Sequence, residues 1–360
     1  MEIKLTILTM KSIYRILFIG LLSTTLWACE KEEATNDTTV DSPKVLLLNE
    51  GNMGSNNASL SAIDIDHALI DNGWFQNANN RKLGDQAQDM IVYGSKVYVT
   101  VTESNTLEVI DPVTGRSTQK SLGTLKPRSI AAYGGHIYIT CYNPPCVVCI
   151  DTATLGIQAT CLLRDYRPEG IAIAQGKAFV AGAYHKSDYN LFDNRIYVID
   201  LTTFDTMPSI VAGSNNNRME KFDESRLLVS HGNGTPTSPS GAFILDAVTM
   251  DITPVDCGFT KMAAYNGKIY GFDAPYGGSP TFTAVRSDGT VEDFPFQPVL
   301  EGLEQNENPY GIQINPANGD IYITTDGAYR VPGDIYCFRS NGTLRWKAEA
   351  GMFPSKVVFL

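Results

Sequence analysis

Short apolar runs alternate with tight polar turns along most of the chain, and the alternation itself repeats. A turn followed by a strand-like run recurs in VYGSKVYVTV (Val92 to Val101), AYGGHIYITC (Ala132 to Cys141), AQGKAFVAGA (Ala174 to Ala183), FDESRLLVSH (Phe222 to His231), YNGKIYGFDA (Tyr265 to Ala274) and NPANGDIYITTD (Asn315 to Asp326). A second run follows each, ending in Asp or Arg before another tight turn: LEVIDPVTG, VVCIDTATL, IYVIDLTTF, AFILDAVTM, FTAVRSDGT and IYCFRSNGT. The equivalent positions Tyr98, Tyr138, Phe179, Leu228, Tyr270 and Tyr322 lie 40 to 52 residues apart. That period fits one four-stranded propeller blade. The runs are apolar or small on both faces, as strands sandwiched between neighbouring sheets must be, and no stretch patterns as an amphipathic helix of ten or more residues.

The two ends supply a further unit. MFPSKVVFL at the C-terminus matches the start of a unit, as in KPRSIAAY (Lys126 to Tyr133), and PKVLLLNEG near the N-terminus matches the second strand that it lacks. Pairing the last strand with the first ones closes the ring and hides its edges. The expected fold is therefore all-β, a seven-bladed β-propeller of four-stranded antiparallel blades over residues 43–360, with seven blades rather than eight.

Strands of a blade alternate in direction, so the segments leading into the inner strands and the second-to-third loops share one face. The loops there are long and varied: NEGNMGSNNAS, CYNPPC, AYHKSDYNLFDNR, SHGNGTPTSPSG, DAPYGGSP and TDGAYRVPGD. The other turns are short hairpin chemistry. Tyr among Asn, Ser and Gly makes adaptable recognition surfaces, because rigid rings supply area and small polar groups supply hydrogen bonds. The candidate ligand-binding residues on these loops are Asn49, Asn52, Tyr142, Tyr184, Tyr189, His231, Tyr276 and Tyr329. Asp89, Arg128, Glu169, Arg218, Lys261, Tyr310 and Lys356 begin the inner strands and should ring the channel mouth. Mixed charge with aromatic groups suits a neutral, polar, sizeable ligand better than a simple ion. Some of the charged residues are expected to pair with one another instead.

The first 28 residues read as a targeting segment. Lys11 and Arg15 precede ILFIGLLSTTLW, which is too short to span a membrane comfortably. Leu26-Trp27-Ala28-Cys29 resembles a bacterial lipobox with Cys29 as the lipidated residue, Trp27 being unusual for the pattern; Met10 is a second plausible start. Residues 29–42 are polar and acidic, without an apolar face, and read as a flexible tether. The cluster Glu30-Lys31-Glu32-Glu33 resembles the export signal of Bacteroidetes lipoproteins bound for the outer face of the outer membrane. The net charge of −11 becomes −13 once the three basic residues and one acidic residue of Met1 to Ala28 are removed. An acidic chain with no basic arm disfavours nucleic acid as a partner.

Of seven cysteines, one is Cys29; the others are Cys141, Cys146, Cys149, Cys161, Cys257 and Cys337. Cys146 and Cys149 form a CxxC without a second pair at zinc-site spacing, and on a strand they point to opposite faces. Buried thiols are the first reading, and a disulfide involving Cys141, Cys146 or Cys161 the second. No HExxH, GxSxG or glycine-rich phosphate loop occurs. His67 and His136 read as structural; His185 and His231 could share a metal with Asp188 or Glu169, but the spacing is weak support. No catalytic residue, metal or cofactor is assigned.

Units such as LEVIDPVTGRSTQKSLG (Leu107 to Gly123) resemble the YVTN/YncE-like surface-layer β-propellers over essentially all of residues 43–360. NEGNMGSNNASLS after a lipoprotein tether is similar to the BtuG-type cobalamin-binding surface lipoproteins of Bacteroidetes. The resemblance implies a lipid-anchored protein on the cell exterior that captures cobalamin or another corrinoid for a TonB-dependent outer-membrane transporter. Glycan capture is the alternative binding function, and a propeller lyase or lactonase using His185 and His231 the alternative from a different class.

Overall fold

Each of the repeated runs is a strand in the computed structural model, which describes Val40 and residues 43–275, 278–302 and 307–360. The signal segment, Cys29 and Tyr276 lie outside the described residues. Seven antiparallel sheets follow one another around a ring. Their inner strands are Ala87–Tyr93, Pro127–Tyr133, Tyr166–Ala174, Asn216–Lys221, Lys261–Tyr265 and Pro309–Ile314 for blades 1 to 6, and Pro354–Phe359 for the closing blade.

That last strand pairs with Val45–Asn49, which pairs in turn with Ser59–Asp64 and then Leu69–Asp71. The register runs from Val45 opposite Phe359 to Leu48 opposite Lys356, and Leu360 N donates to Lys44 O at 3.0 Å. The ring thus closes with one strand from the C-terminus and three from the N-terminus, as the sequence predicts.

Second strands are sandwiched and hence buried almost throughout, as in Lys96–Val101 and Ile321–Thr325. Seven apolar clusters fill the seven interfaces between adjacent blades. Fully buried Phe179, Phe272, Tyr322 and Tyr336 anchor three of them. Truncating one such ring to Ala costs about 3 to 5 kcal/mol through lost burial and the cavity left behind. Cys146 faces the cluster between blades 1 and 2, and Cys149 the one between blades 2 and 3. Val40, although in the expected tether, is buried beside Leu46, Trp74 and Phe75.

Asp recurs before the outer turns because its carboxylate holds the turn. Asp111 Oδ1 accepts from Val113 N and Thr114 N at 3.1 and 3.0 Å, and Asp151, Asp200 and Asp246 repeat the pattern. Three elements escape the repeat among the described residues, the shortest a 3-10 turn at Gly327–Tyr329. A six-residue helix, α1 (Trp74–Asn79), leads into blade 1 and buries Trp74 and Phe75. In blade 3, Asp188–Phe192 folds back on Lys177–His185 and lengthens the hairpin on the elaborated face.

Candidate functional site

The inner strands surround a central channel of about 670 Å³. At its mouth the antiparallel order brings the inner-strand starts together with the second-to-third loops. Threonines near the ends of second strands fix this geometry between blades: Thr140 Oγ1 donates to Glu169 O at 2.9 Å, and Thr102 Oγ1 to Pro127 O at 2.6 Å.

The charged residues at the mouth largely pair across blades. Lys356 Nζ donates to Asp89 Oδ1 at 2.8 Å, while Asp89 Oδ2 accepts from Ile130 N at 3.1 Å. Arg128 Nη2 lies 3.2 Å from Glu169 Oε1. Glu50, from the opening loop NEGNMGSNNAS, reaches inward and accepts from Tyr310 Oη at 2.9 Å and from Gln88 Nε2 at 3.2 Å. Lys261 Nζ stands 3.9 Å from Glu50 Oε1 and 4.8 Å from the Tyr310 ring centre. Arg218 donates through Nε to Thr260 O at 3.3 Å. Glu220, two residues further along the same strand as Arg218, joins it on the channel wall.

Burial in this channel changes how the charges behave. It pushes the Glu220 carboxyl up to about 7, opposed by Lys356 and reinforced by Asp89. Burial, and then the nearby Arg218 and Lys356 charges, bring the Lys261 ammonium down to about 7 against the pull of Glu50 and Asp89.

Beside the mouth, blades 2 and 3 build an aromatic wall around a guanidinium. Arg167 lies 5.0, 5.6 and 5.3 Å from the ring centres of Tyr142, Tyr184 and Tyr189, and Arg128 covers Tyr142 at 4.8 Å. Tyr142 and Tyr184 meet edge to face at 6.0 Å, and Tyr184 and Tyr189 are 5.0 Å apart. Tyr142 is buried, whereas Tyr189 is 64% exposed at the rim. A second aromatic path runs from the mouth through Tyr310 and Phe353 to exposed Tyr329, with ring centres 5.7 and 5.4 Å apart.

Three other candidates are engaged within the fold. Asn49 is wholly buried; its Nδ2 donates to Ser59 Oγ and Ser61 Oγ at 3.0 and 2.8 Å, and its Oδ1 accepts from Gly351 N at 3.0 Å. Asn52 and Asn57 bond reciprocally and shape their own loop. The His231 ring fills the space beside Gly213 and Gly241, where an added Cβ would collide with it, and stacks on Phe243. Burial lowers its pKa and so favours the neutral ring. His185 Nδ1 pairs with Ser187 Oγ at 3.0 Å. Among the described residues no group of three His, Cys, Asp or Glu is placed to hold a metal.

Glu50, Gln88, Arg167 and Glu220 belong to the mouth but are absent from the sequence-derived candidates. Period-two alternation from Arg218 would have found Glu220. Arg167 directly precedes PEGI and could have been read with it. Glu50 sits in the quoted loop, but nothing local shows that it turns inward.

No family model matches the sequence, and no curated protein matches it. Solved structures share its fold. Hydrazine synthase of Kuenenia stuttgartiensis is 17% identical with a TM-score of 0.55, over 73% of this chain and 86% of that one. A quinonprotein alcohol dehydrogenase-like protein of Bacteroides thetaiotaomicron is 15% identical with a TM-score of 0.58, over 87% and 77%. The computationally designed Ika8 protein is 11% identical with a TM-score of 0.53, over 74% and 88%. At such identities the likeness concerns the propeller alone.

Proposed function

We propose that this chain is a capture module that holds cobalamin or another corrinoid across the channel mouth. In this reading it is anchored to the outer membrane through Cys29, faces the cell exterior and delivers its ligand to a TonB-dependent transporter. The observation that carries the binding reading is the pair of aromatic walls, Tyr142–Tyr184–Tyr189 on one side and Tyr310–Phe353–Tyr329 on the other, on the face of the largely paired charges. Ring area gives affinity without a strong net field, which suits a broad ligand fringed with amides.

The test is titration of the purified chain with cyanocobalamin followed by size exclusion. Co-elution of the red chromophore with the protein supports the reading; a colourless protein peak overturns it. The exposed Tyr189 ring, tilted 35° from Tyr184, gives glycan capture a specific foothold, because sugar faces stack on such rings. Retention by an immobilised glycan together with a colourless peak would favour that second reading.

A further inference from the structure

Three cations line the channel within electrostatic reach of Lys261: Arg218 from blade 4, Lys261 itself from blade 5 and Lys356 from the closing blade. Their donors are only partly used. The Lys261 side chain is 13% exposed, yet among the described residues its ammonium makes no hydrogen bond; its contacts are Glu50 at 3.9 Å and the Tyr310 ring. Arg218 uses Nε on Thr260 O, and among the described residues its two terminal nitrogens donate to nothing. The withdrawn Lys261 ammonium is costly with unfilled donors, because it loses water without gaining a partner.

The carboxylates nearby do not fill the gap. Asp89 serves Lys356, Ile130 N and Met90 N, and Glu50 serves Tyr310 and Gln88. Glu220 is held by burial in a half-protonated state near neutrality. Arg128 and Glu169 pair with each other, which leaves Arg218 without an ion-pair partner among the described residues.

We propose that Arg218, Lys261 and Lys356 form an oxyanion pocket in the channel, which takes a phosphate or carboxylate group carried by the captured ligand. The identity of that ligand rests on the capture reading; the pocket itself does not. An oxyanion there fills the idle donors of Arg218 and Lys261 and relieves their repulsion.

Calorimetric titration of the whole chain with inorganic phosphate and, separately, acetate tests the pocket, with ionic strength balanced by chloride. Saturable binding is expected, weakened about tenfold in Arg218→Gln and in Lys261→Met and unchanged in Val113→Ala, in the exposed outer turn after Asp111, in line with loss of one charge-assisted bond. Tighter phosphate points to a phosphoryl group, and tighter acetate to a carboxylate. No saturable binding of either anion, or equal binding in the wild type and the Arg218→Gln variant, overturns the pocket; Arg218 is exposed, so that variant keeps the test open should Lys261→Met not fold. Cyanocobalamin co-elution measured in parallel separates the two ideas. Anion binding without cobalamin sinks the corrinoid assignment alone, and cobalamin without anion binding sinks the pocket alone.

Discussion

Lys356, on the last strand of the chain, donates to Asp89, near the start of blade 1, at 2.8 Å across 267 residues of sequence. The ion pair lies beside the seam where the ring closes, so it belongs both to the fold and to the channel mouth. Removing one partner leaves the other charge without its counterion in a half-buried site. Lys356→Met should lower the unfolding free energy by about 1 to 3 kcal/mol, less than for a fully buried pair because the lysine is 33% exposed. The double variant with Asp89→Asn should cost less than the sum of the single variants, as urea denaturation would show. Additive losses would mean that the pair is not coupled.

Asn49 is the second seam residue, and its role is structural. All three of its amide bonds link the first strand to neighbouring segments, two to Ser59 and Ser61 and one to Gly351. Asn49→Ala should destabilise the fold by about 2 kcal/mol, since two serine acceptors and the Gly351 N–H donor lose their partner. Ligand affinity of the folded fraction should stay unchanged. A loss of affinity at full stability would place Asn49 at the ligand after all.

The two perturbed channel groups give opposite pH signatures. Glu220 has a folded pKa of about 7 against 4.5, so its penalty is absent at pH below 4.5 and is fully felt above 7. Glu220→Gln should therefore leave stability near pH 4.5 unchanged and raise it by roughly 2 kcal/mol at pH 8. Lys261 falls from 10.5 to about 7, so its penalty is full below 7 and disappears as pH rises to 10.5. Lys261→Met should be more favourable at pH 6 than at pH 10. Thermal melts across this range check both signs, and a Glu220→Gln effect independent of pH would refute the burial argument.

Arg167 tests the aromatic wall. Its guanidinium contacts Tyr142, Tyr184 and Tyr189, and its Nη1 donates to Tyr189 Oη at 3.2 Å. Arg167→Ala should loosen the exposed Tyr189 side of the wall and weaken ligand binding about tenfold, with a stability cost of about 1 kcal/mol. Titration and melting of the same variant separate the two effects.

The propeller was legible because its signals are local and repeated. A strand period, an Asp-led turn and matching half-units at the two ends suffice to define seven closed blades. The inward course of Glu50 was not legible, because it depends on hydrogen bonds from Glu50 N to Phe353 O and from Gly51 N to Met352 O across the seam. Asn49 and His231 looked like loop-face polar groups, yet each lies at a strand end where packing, not polarity, sets its direction. Helix α1 is too short for a periodic signal, and burial of Trp74 and Phe75 holds it. Pairing among Asp89, Arg128, Glu169 and Lys356 could be anticipated in kind, but partner choice required the ring.

The central claim is that ligand binds on the face that carries the inner-strand starts and the long loops. Hydrogen–deuterium exchange of the whole chain, with and without saturating cyanocobalamin, tests it most directly. The account expects slowed exchange around Tyr142, between Arg167 and Tyr189, and between Tyr310 and Tyr329, with no change in the turns after Asp111, Asp151 and Asp246. Protection confined to those turns, or none anywhere, would contradict it.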